Sequence, residues 1–338
     1  MDAYEIMPGG SLSGLRKTSR PTVPLPAHGL RIRMLAASLN ARDLSVMCGQ
    51  FHALPSHPLI PLVDGCGEVV ETGKKVSRFR PGDRVIPAYY PNWTDGTISA
   101  QKTAISFGAQ VDGTLTTEML GLEEAFVRAP AHLDASEAAT LCCAGLTAWN
   151  ALFVMGAARP GARVLLLGTG NVSLMALVLA KAAGLFVIIT SSQDGRLQRA
   201  SDLGADETVN YHLNPDWHDE VLRLTSGNGV DLVVEVGGER TLPHSLKATA
   251  FGGRVVVVGR LSGGDIAVSA GTLIGGGRSL NGLTAGSRTM LEDLVRFVEI
   301  NRIRPIIDRS FAFENAADAY EHFVSERPFG KVSITIGS

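Results

Sequence analysis

Two textures of apolar and polar positions divide the chain. Up to about Val127, apolar residues come in short runs broken by Gly and Pro. Leu30 to Ala36 alternates with a period of two, which predicts a half-buried strand. Gly67 to Glu71 and Asp83 to Ile86 read as further short strands, with Pro81-Gly82-Asp83 marking a turn between them. This part is β-rich and holds no helix-period segment of length. From Asp134 the pattern changes. Ala135 to Met155 is rich in Ala and Leu, starts near the caps Asp134 and Ser136, and predicts two helices. After the break at Arg159-Pro160-Gly161, apolar strands alternate with helices. Strands are expected at Val164–Leu167, Phe186–Thr190, Glu207–Asn210, Asp231–Val236 and Arg254–Val258. Helices are expected at Val172–Ala183 and Arg196–Leu203. Continuous Val/Ile/Leu strands between helices mean a parallel sheet covered on both faces, hence an α/β fold. A helix at Thr289–Asn301 and a strand at Val332–Ile336 close the chain.

Composition narrows this picture. A length of 338 residues suggests two domains. A formal net charge of −2 without a Lys/Arg run argues against nucleic acid as partner. Cys48, Cys66, Cys142 and Cys143 contain no CxxC pair, so they form neither a disulfide framework nor a zinc knuckle. The start lacks a secretory pattern and no uninterrupted apolar stretch reaches membrane-spanning length, so a cytoplasmic protein with no membrane partner is expected. The sequons at Asn92 and Asn171 read as chance matches.

The chemistry concentrates at Gly168-Thr169-Gly170-Asn171-Val172-Ser173, between an expected strand and an expected helix. Two glycines let the chain turn tightly and bring backbone N–H groups to a pyrophosphate, beside the positive end of a helix. Ser173 replaces the third glycine of the usual fingerprint and is small enough to keep helix and strand close. A glycine turn that binds nothing is the plain alternative, and the surrounding βα units weigh against it. Cofactor choice falls at the end of the second strand. It reads Thr190-Ser191-Ser192, with no carboxylate before Asp194. Hydroxyls donate to a 2′-phosphate, and Arg196 in the next turn can pair with it, so NADPH is expected over NADH.

These residues resemble the medium-chain dehydrogenases/reductases, nearest their zinc-free quinone-oxidoreductase-like branch. The resemblance runs through ASLNARDL (Ala37 to Leu44), PLVDGCGEVVETG (Pro61 to Gly73), RPGDRV (Arg80 to Val85), AATLCCAGLTAW (Ala138 to Trp149), VLLLGTGNVS, LGADETVNY (Leu203 to Tyr211) and FGKVSI (Phe329 to Ile334). It implies a β-rich, GroES-like catalytic domain from residues 1–130 and 285–338. A Rossmann domain from 131–284 lies between these segments, with the active site in the cleft. A homodimer is implied, often joined near Leu280.

The resemblance also raises the question of zinc. Its ligand positions match Asn40, Val63 and Cys143, and Val63 cannot ligate, so no zinc is expected. In zinc-free relatives, the residues matching Asn40 and Asp43 lie near the nicotinamide. Asn40 would orient the nicotinamide or a substrate oxygen, and Asp43 would organise Asn40, a neighbouring basic group or a water. A local turn is the plain alternative for this pair. Arg42 is expected at the surface, an anion-binding residue being the alternative. Phe51 stands where a tyrosine is common, so a phenolic proton donor is not assured. Phe51, Tyr89, Tyr90 and Trp93 either wall a pocket for a flat substrate or pack the domain. Further cofactor contacts are implied at Thr147, Val236, Gly237, Gly259, Leu261, Tyr211, Phe329, Gly330 and Lys331, a solvated lysine being the plain alternative for the last. The first functional expectation is hydride transfer from NADPH to a small-molecule substrate, an activated alkene or quinone. A zinc-free alcohol or carbonyl oxidoreductase comes next, then an NADPH-binding sensor or structural protein with little turnover.

Overall fold

The strand Gly29–Ser38 organises the β-rich part of the protein. Leu30, Ile32, Met34, Ala36 and Ser38 point inward and are buried, as the period-two pattern requires. On the other face Arg31 pairs with Glu71 and Glu118, and Arg33 pairs with Glu68, across neighbouring strands. The computed structural model describes residues 1–264 and 267–337. It divides into two units, Met1–Leu146 with Gly286–Ser338, and Thr147–Ala285.

In the first unit, seven strands form one sheet. Its order is Ile307–Ala312, Lys331–Thr335, Gly29–Ser38, Asp64–Thr72, Arg84–Pro87 and Phe126–Arg128, with Glu118–Leu122 also pairing to Gly29–Ser38. The long strand shares one edge between two partners. Its first half pairs with Glu118–Leu122 and its last residues pair with Ser333–Thr335. The unit extends to Leu146 rather than ending near residue 130. The reason is local: the helix Ala135–Ala139 packs on Gly29–Ser38 and Asp64–Thr72. It is capped by Asp134, whose carboxylate accepts from the Glu137 N–H. A seven-residue helix, Ala41–Met47, stands where only β structure was expected. It is too short to leave a helical period in the sequence.

The two helices expected over 135–155 are α-helical at Ala135–Ala139 and Leu146–Trp149, and each is followed by a five-residue π-helical stretch, Leu141–Gly145 and Asn150–Val154. The first belongs to the β-rich unit and frees the Cys143 N–H for a side-chain acceptor.

The second unit holds six parallel strands in the order Glu207–Asn210, Phe186–Ser191, Arg163–Leu166, Val230–Glu235, Thr249–Val257 and Ser279–Gly282. Numbered along the chain this is 3-2-1-4-5-6, the doubly wound Rossmann order. Leu165, Ile188, Val209, Val233 and Val255 form the core with Trp217 and Val221 of the helix Trp217–Leu224 and Leu242 and Leu246 of the helix Leu242–Ala248. Among the described residues no helix is long and apolar enough to cross a membrane.

Candidate functional site

Strand register builds the first cluster, in the β-rich unit. Ser38 pairs with Asp64 on one side and with Ser333 on the other. Leu39 N–H donates to Val332 O at 3.0 Å just beyond that ladder. Asn40, Asp64 and Lys331, far apart in the chain, therefore meet at one end of three strands. The Lys331 ammonium donates to Leu39 O at 2.7 Å, Asn40 Oδ1 at 2.7 Å and Asp64 Oδ2 at 2.8 Å. All three of its protons are used, and Lys331 is 3% exposed. The ammonium thus holds Asn40 and Asp64, and its burial rules out the solvated lysine that was the plain alternative at this position. The other Asp64 oxygen accepts from the freed Cys143 N–H at 2.8 Å.

Holding Asn40 Oδ1 on a cation sets the direction of the amide. Its Nδ2 then faces Asp43 Oδ2 at 3.5 Å, and the same oxygen accepts from the Asn40 backbone N–H at 2.9 Å. Asp43 is the third residue of the helix Ala41–Met47, so this bond also caps that helix. The expected turn role and the expected organising role of Asp43 are thus the same contact. Burial pushes the Asp43 carboxyl up to about 6, against the pull of Arg42. Its Oδ1 is buried without a hydrogen bond.

Arg42 does not lie at the surface. Its guanidinium donates to Phe107 O at 2.9 Å and Ser106 Oγ at 3.1 Å. It lies between the Phe51 ring, 5.0 Å from the centroid, and the Tyr89 ring, 4.9 Å away. Tyr89 stacks edge-on against Tyr90, which tilts against Trp93. The four aromatic residues named from the sequence do form one chain of contacts, with Arg42 inserted in it. Tyr89, Tyr90 and Trp93 are buried within the unit. Burial also pushes the Tyr89 phenol well above its ordinary range.

The residues at the family's metal-ligand positions do not fit a bound ion. Val63 is apolar and buried. Asn40 spends its only side-chain oxygen on Lys331. Burial first, then the Asp64 charge, pushes the Cys143 thiol far above its ordinary range. Among the described residues of this unit, no three His, Cys, Asp or Glu ligand atoms converge.

The second cluster lies at the carboxyl ends of the parallel strands, where ligands bind in such sheets. The turn Gly168–Ser173 joins the strand Arg163–Leu166 to the helix Asn171–Ala182. Gly168 has φ +70°, which only glycine adopts without strain. A Cβ built at Gly168 or Gly170 would meet no protein atom within 4 Å. Protein packing therefore does not demand glycine at Gly170, and the open face fits a pyrophosphate approached by backbone N–H groups. Ser173 is buried, and its hydroxyl donates to Leu167 O at 2.7 Å, fastening helix to strand. Thr169 is buried, and Asn171 and Val172 begin the helix.

Thr190 turns inward. Its hydroxyl accepts from the Gly168 N–H at 3.1 Å, so it shapes the turn. Ser191 is also buried, while Ser192 and Arg196 are half-buried. Tyr211 N–H donates to Ser191 O at 3.1 Å, which brings the exposed Tyr211 to the same strand end. Arg196 Nε donates to Gln193 Oε1 at 3.1 Å. Asp194, the one carboxylate near the expected ribose position, accepts from Asn210 Nδ2 at 2.6 Å.

Glu235 was not singled out from the sequence. It is fully buried at the end of its strand and accepts four hydrogen bonds: from Gly237 N–H at 2.7 Å, Gly238 N–H at 3.0 Å, Thr241 Oγ1 at 2.6 Å and Ser245 Oγ at 2.5 Å. It thereby fixes the Val236-Gly237 turn. Leu261 N–H donates to Val236 O, and Gly259 N–H to Glu235 O, so the expected contacts Gly259 and Leu261 share this loop cluster. Thr147 opens the same unit and is buried, whereas Phe329 and Gly330 belong to the β-rich unit with Lys331. Neither Asp64 nor Glu235 stands out in the sequence, because each adjoins an apolar run in a strand that carries a further carboxylate, Glu68 and Glu71 in one and Asp231 in the other, and only the fold shows which of them is buried.

A family model for the alcohol dehydrogenase GroES-like domain matches residues 26–132, and one for zinc-binding dehydrogenases matches 171–299. A zinc-type alcohol dehydrogenase-like protein of Schizosaccharomyces pombe is 37% identical over 311 residues, covering 90% of each chain. A crystal structure assigned to an alcohol dehydrogenase of Sinorhizobium meliloti 1021 is 39% identical, covers 99% of this chain and 100% of its own, and has a TM-score of 0.92. The quinone oxidoreductase of Homo sapiens is 26% identical, covering 96% of this chain and 94% of its own.

Proposed function

The chain belongs to the medium-chain dehydrogenase/reductase superfamily, among the zinc-type alcohol dehydrogenase-like proteins, and on that footing we propose that it interconverts an alcohol and a carbonyl compound with NADP(H), without a metal at the Asn40 position. That it is an oxidoreductase of this superfamily follows from the likeness along nearly the whole chain. The direction toward alcohols is supported by the relatives at 37% and 39% identity, both named for alcohol dehydrogenases.

The metal-free part of the proposal is carried by one observation: Asn40 Oδ1 is bound by a buried ammonium. When bound, the nicotinamide supplies or accepts the hydride. The Asn40 amide points one N–H at Asp43 and keeps the other for a substrate oxygen as charge develops on it, the hydroxyl proton being exchanged with water. Lys331 and Asp43 are positioning residues for that amide. The open turn at Gly168 and Gly170 supports pyrophosphate binding. For the 2′-phosphate, Ser192 and Arg196 remain the groups of suitable chemistry, since Thr190 and Ser191 are buried. A homodimer joined at the edge strand Ser279–Gly282, which carries Leu280, is part of the same proposal.

Reduction of an activated alkene or quinone, the first expectation from the sequence, becomes the second reading. It is supported by the human quinone oxidoreductase likeness. The test is a panel of alcohols, ketones, enones and quinones with both cofactors, run with and without a chelator and with elemental analysis. Alcohol or ketone turnover with NADP(H), unaffected by the chelator, is expected. Stoichiometric zinc with chelator-sensitive turnover would overturn the metal-free mechanism. Turnover confined to enones and quinones would establish the second reading, and preference for NADH would overturn the cofactor assignment. NADPH bound without turnover of any acceptor would indicate a sensor.

A further inference from the structure

We propose that Asp216, His218 and His244 form a binding site for a divalent transition metal of the Zn²⁺ class in the dinucleotide-binding unit, unconnected with the hydride chemistry. The scaffold is the hydrophobic core. Trp217 and Val221 seat the helix Trp217–Leu224, and Leu242 and Leu246 seat the helix Leu242–Ala248 in the same cluster. That packing brings His218 and His244 together edge-on, with ring centroids 4.8 Å apart. Their Nδ1 atoms are 2.8 Å apart, and ligand atoms of Asp216, His218 and His244 all lie within 4.8 Å of one another.

Two facing imidazole nitrogens at this distance share one proton, so at least one ring must offer a lone pair. The other nitrogen of His218 lies 3.5 Å from Asp219 Oδ1. With the proton of His218 on that nitrogen, its Nδ1 lone pair points at His244, and binding an ion between the rings moves the shared proton to the other nitrogen of His244. The His244 ring is steadied against Trp217, centroids 5.5 Å apart. Asp216 precedes the helix but makes no side-chain capping bond, and it is exposed.

Two imidazole nitrogens on one zinc stand about 3.3 Å apart, given Zn–N of about 2.0–2.1 Å and tetrahedral angles. Opening the observed 2.8 Å contact to admit an ion thus takes about half an ångström. Two imidazoles with one carboxylate select a borderline metal over Mg²⁺ or Ca²⁺. Three protein ligands leave a fourth position for water. Such an ion would tie the two helices together.

The experiment is titration of the full-length protein with Zn²⁺, followed by calorimetry and thermal unfolding near neutral pH. One equivalent bound with a raised Tm is expected. Binding should weaken at least tenfold in His244→Gln and in Asp216→Asn, the latter at an exposed position that folding tolerates. It should persist in Cys143→Ser. The Co²⁺ form should show no thiolate charge-transfer absorption. No binding, unchanged affinity in both site variants, or a thiolate band lost with Cys143→Ser would overturn the proposal. The first outcome would leave the two histidines as a hydrogen-bonded pair only.

Discussion

Replacing Lys331 by methionine keeps the reach of the side chain and removes its charge. Lys331 and Asp64 are both almost completely buried, 2.8 Å apart. At an effective dielectric of about 20, the attraction at this distance is about 6 kcal/mol. Each ion costs several kcal/mol to desolvate, so the intact pair contributes little net stability. Lys331→Met is different, because it leaves the Asp64 charge buried with only the Cys143 N–H as partner. Breaking a buried pair in this way costs about 3–5 kcal/mol. At about 2–4 °C per kcal/mol, unfolding of the β-rich unit should move down by roughly 6–20 °C. Thermal unfolding gives the shift, and amide hydrogen exchange in the strand Gly29–Ser38 assigns it to that unit. The double variant Lys331→Met/Asp64→Asn removes the stranded charge and should recover about 2 kcal/mol of the summed single losses. A loss under about 1 kcal/mol for Lys331→Met, or strict additivity in the double variant, would refute the view that this ammonium neutralises Asp64.

Three other outcomes follow from the same geometry. Asp43 binds its proton more tightly when folded, with a pKa of about 6 against 3.8, so between these values the folded state holds the extra proton. Its contribution to stability is therefore present at low pH and falls by up to about 3 kcal/mol as pH rises from about 4 to about 6. Asp43→Asn, which keeps an oxygen to cap Asn40, should abolish that slope in denaturant titrations across this range. Gly170→Ala places a methyl group in space free of protein atoms, so stability should stay within about 0.5 kcal/mol while fluorescence titration shows NADPH binding at least tenfold weaker. Unaltered affinity would remove the turn from the cofactor site. Glu235→Gln puts an amide N–H₂ among four donors, and should cost about 1–3 kcal/mol in chemical denaturation; a neutral result would mean that the Gly237 turn holds its shape without the carboxylate.

Much of the dinucleotide-binding unit is determined by the sequence alone, because its information is local. Val/Ile/Leu strands, alternating helices and a glycine turn each declare themselves within a dozen residues, and Glu207–Asn210 came out with its observed bounds. Ser173 could be recognised as a small third-position residue, although not as the hydroxyl that ties the helix to Leu167 O. The short helix Ala41–Met47 escaped because seven residues carry less than two clear periods. The pair Asn40 and Asp43, on which the proposed function rests, was legible as a motif, but the direction of the Asn40 amide was not. That direction depends on Lys331, 291 positions away, brought close by the register of strands at opposite ends of the chain. For the same reason the sequence left Lys331 between cofactor and solvent and placed Arg42 at the surface. A charged side chain reads as exposed until its partners are known, and here those partners are backbone carbonyls, aromatic faces and carboxylates supplied by distant segments. The pairing of His218 with His244 has the same origin: each is unremarkable in its own segment, and only two helices seated on one core make them neighbours.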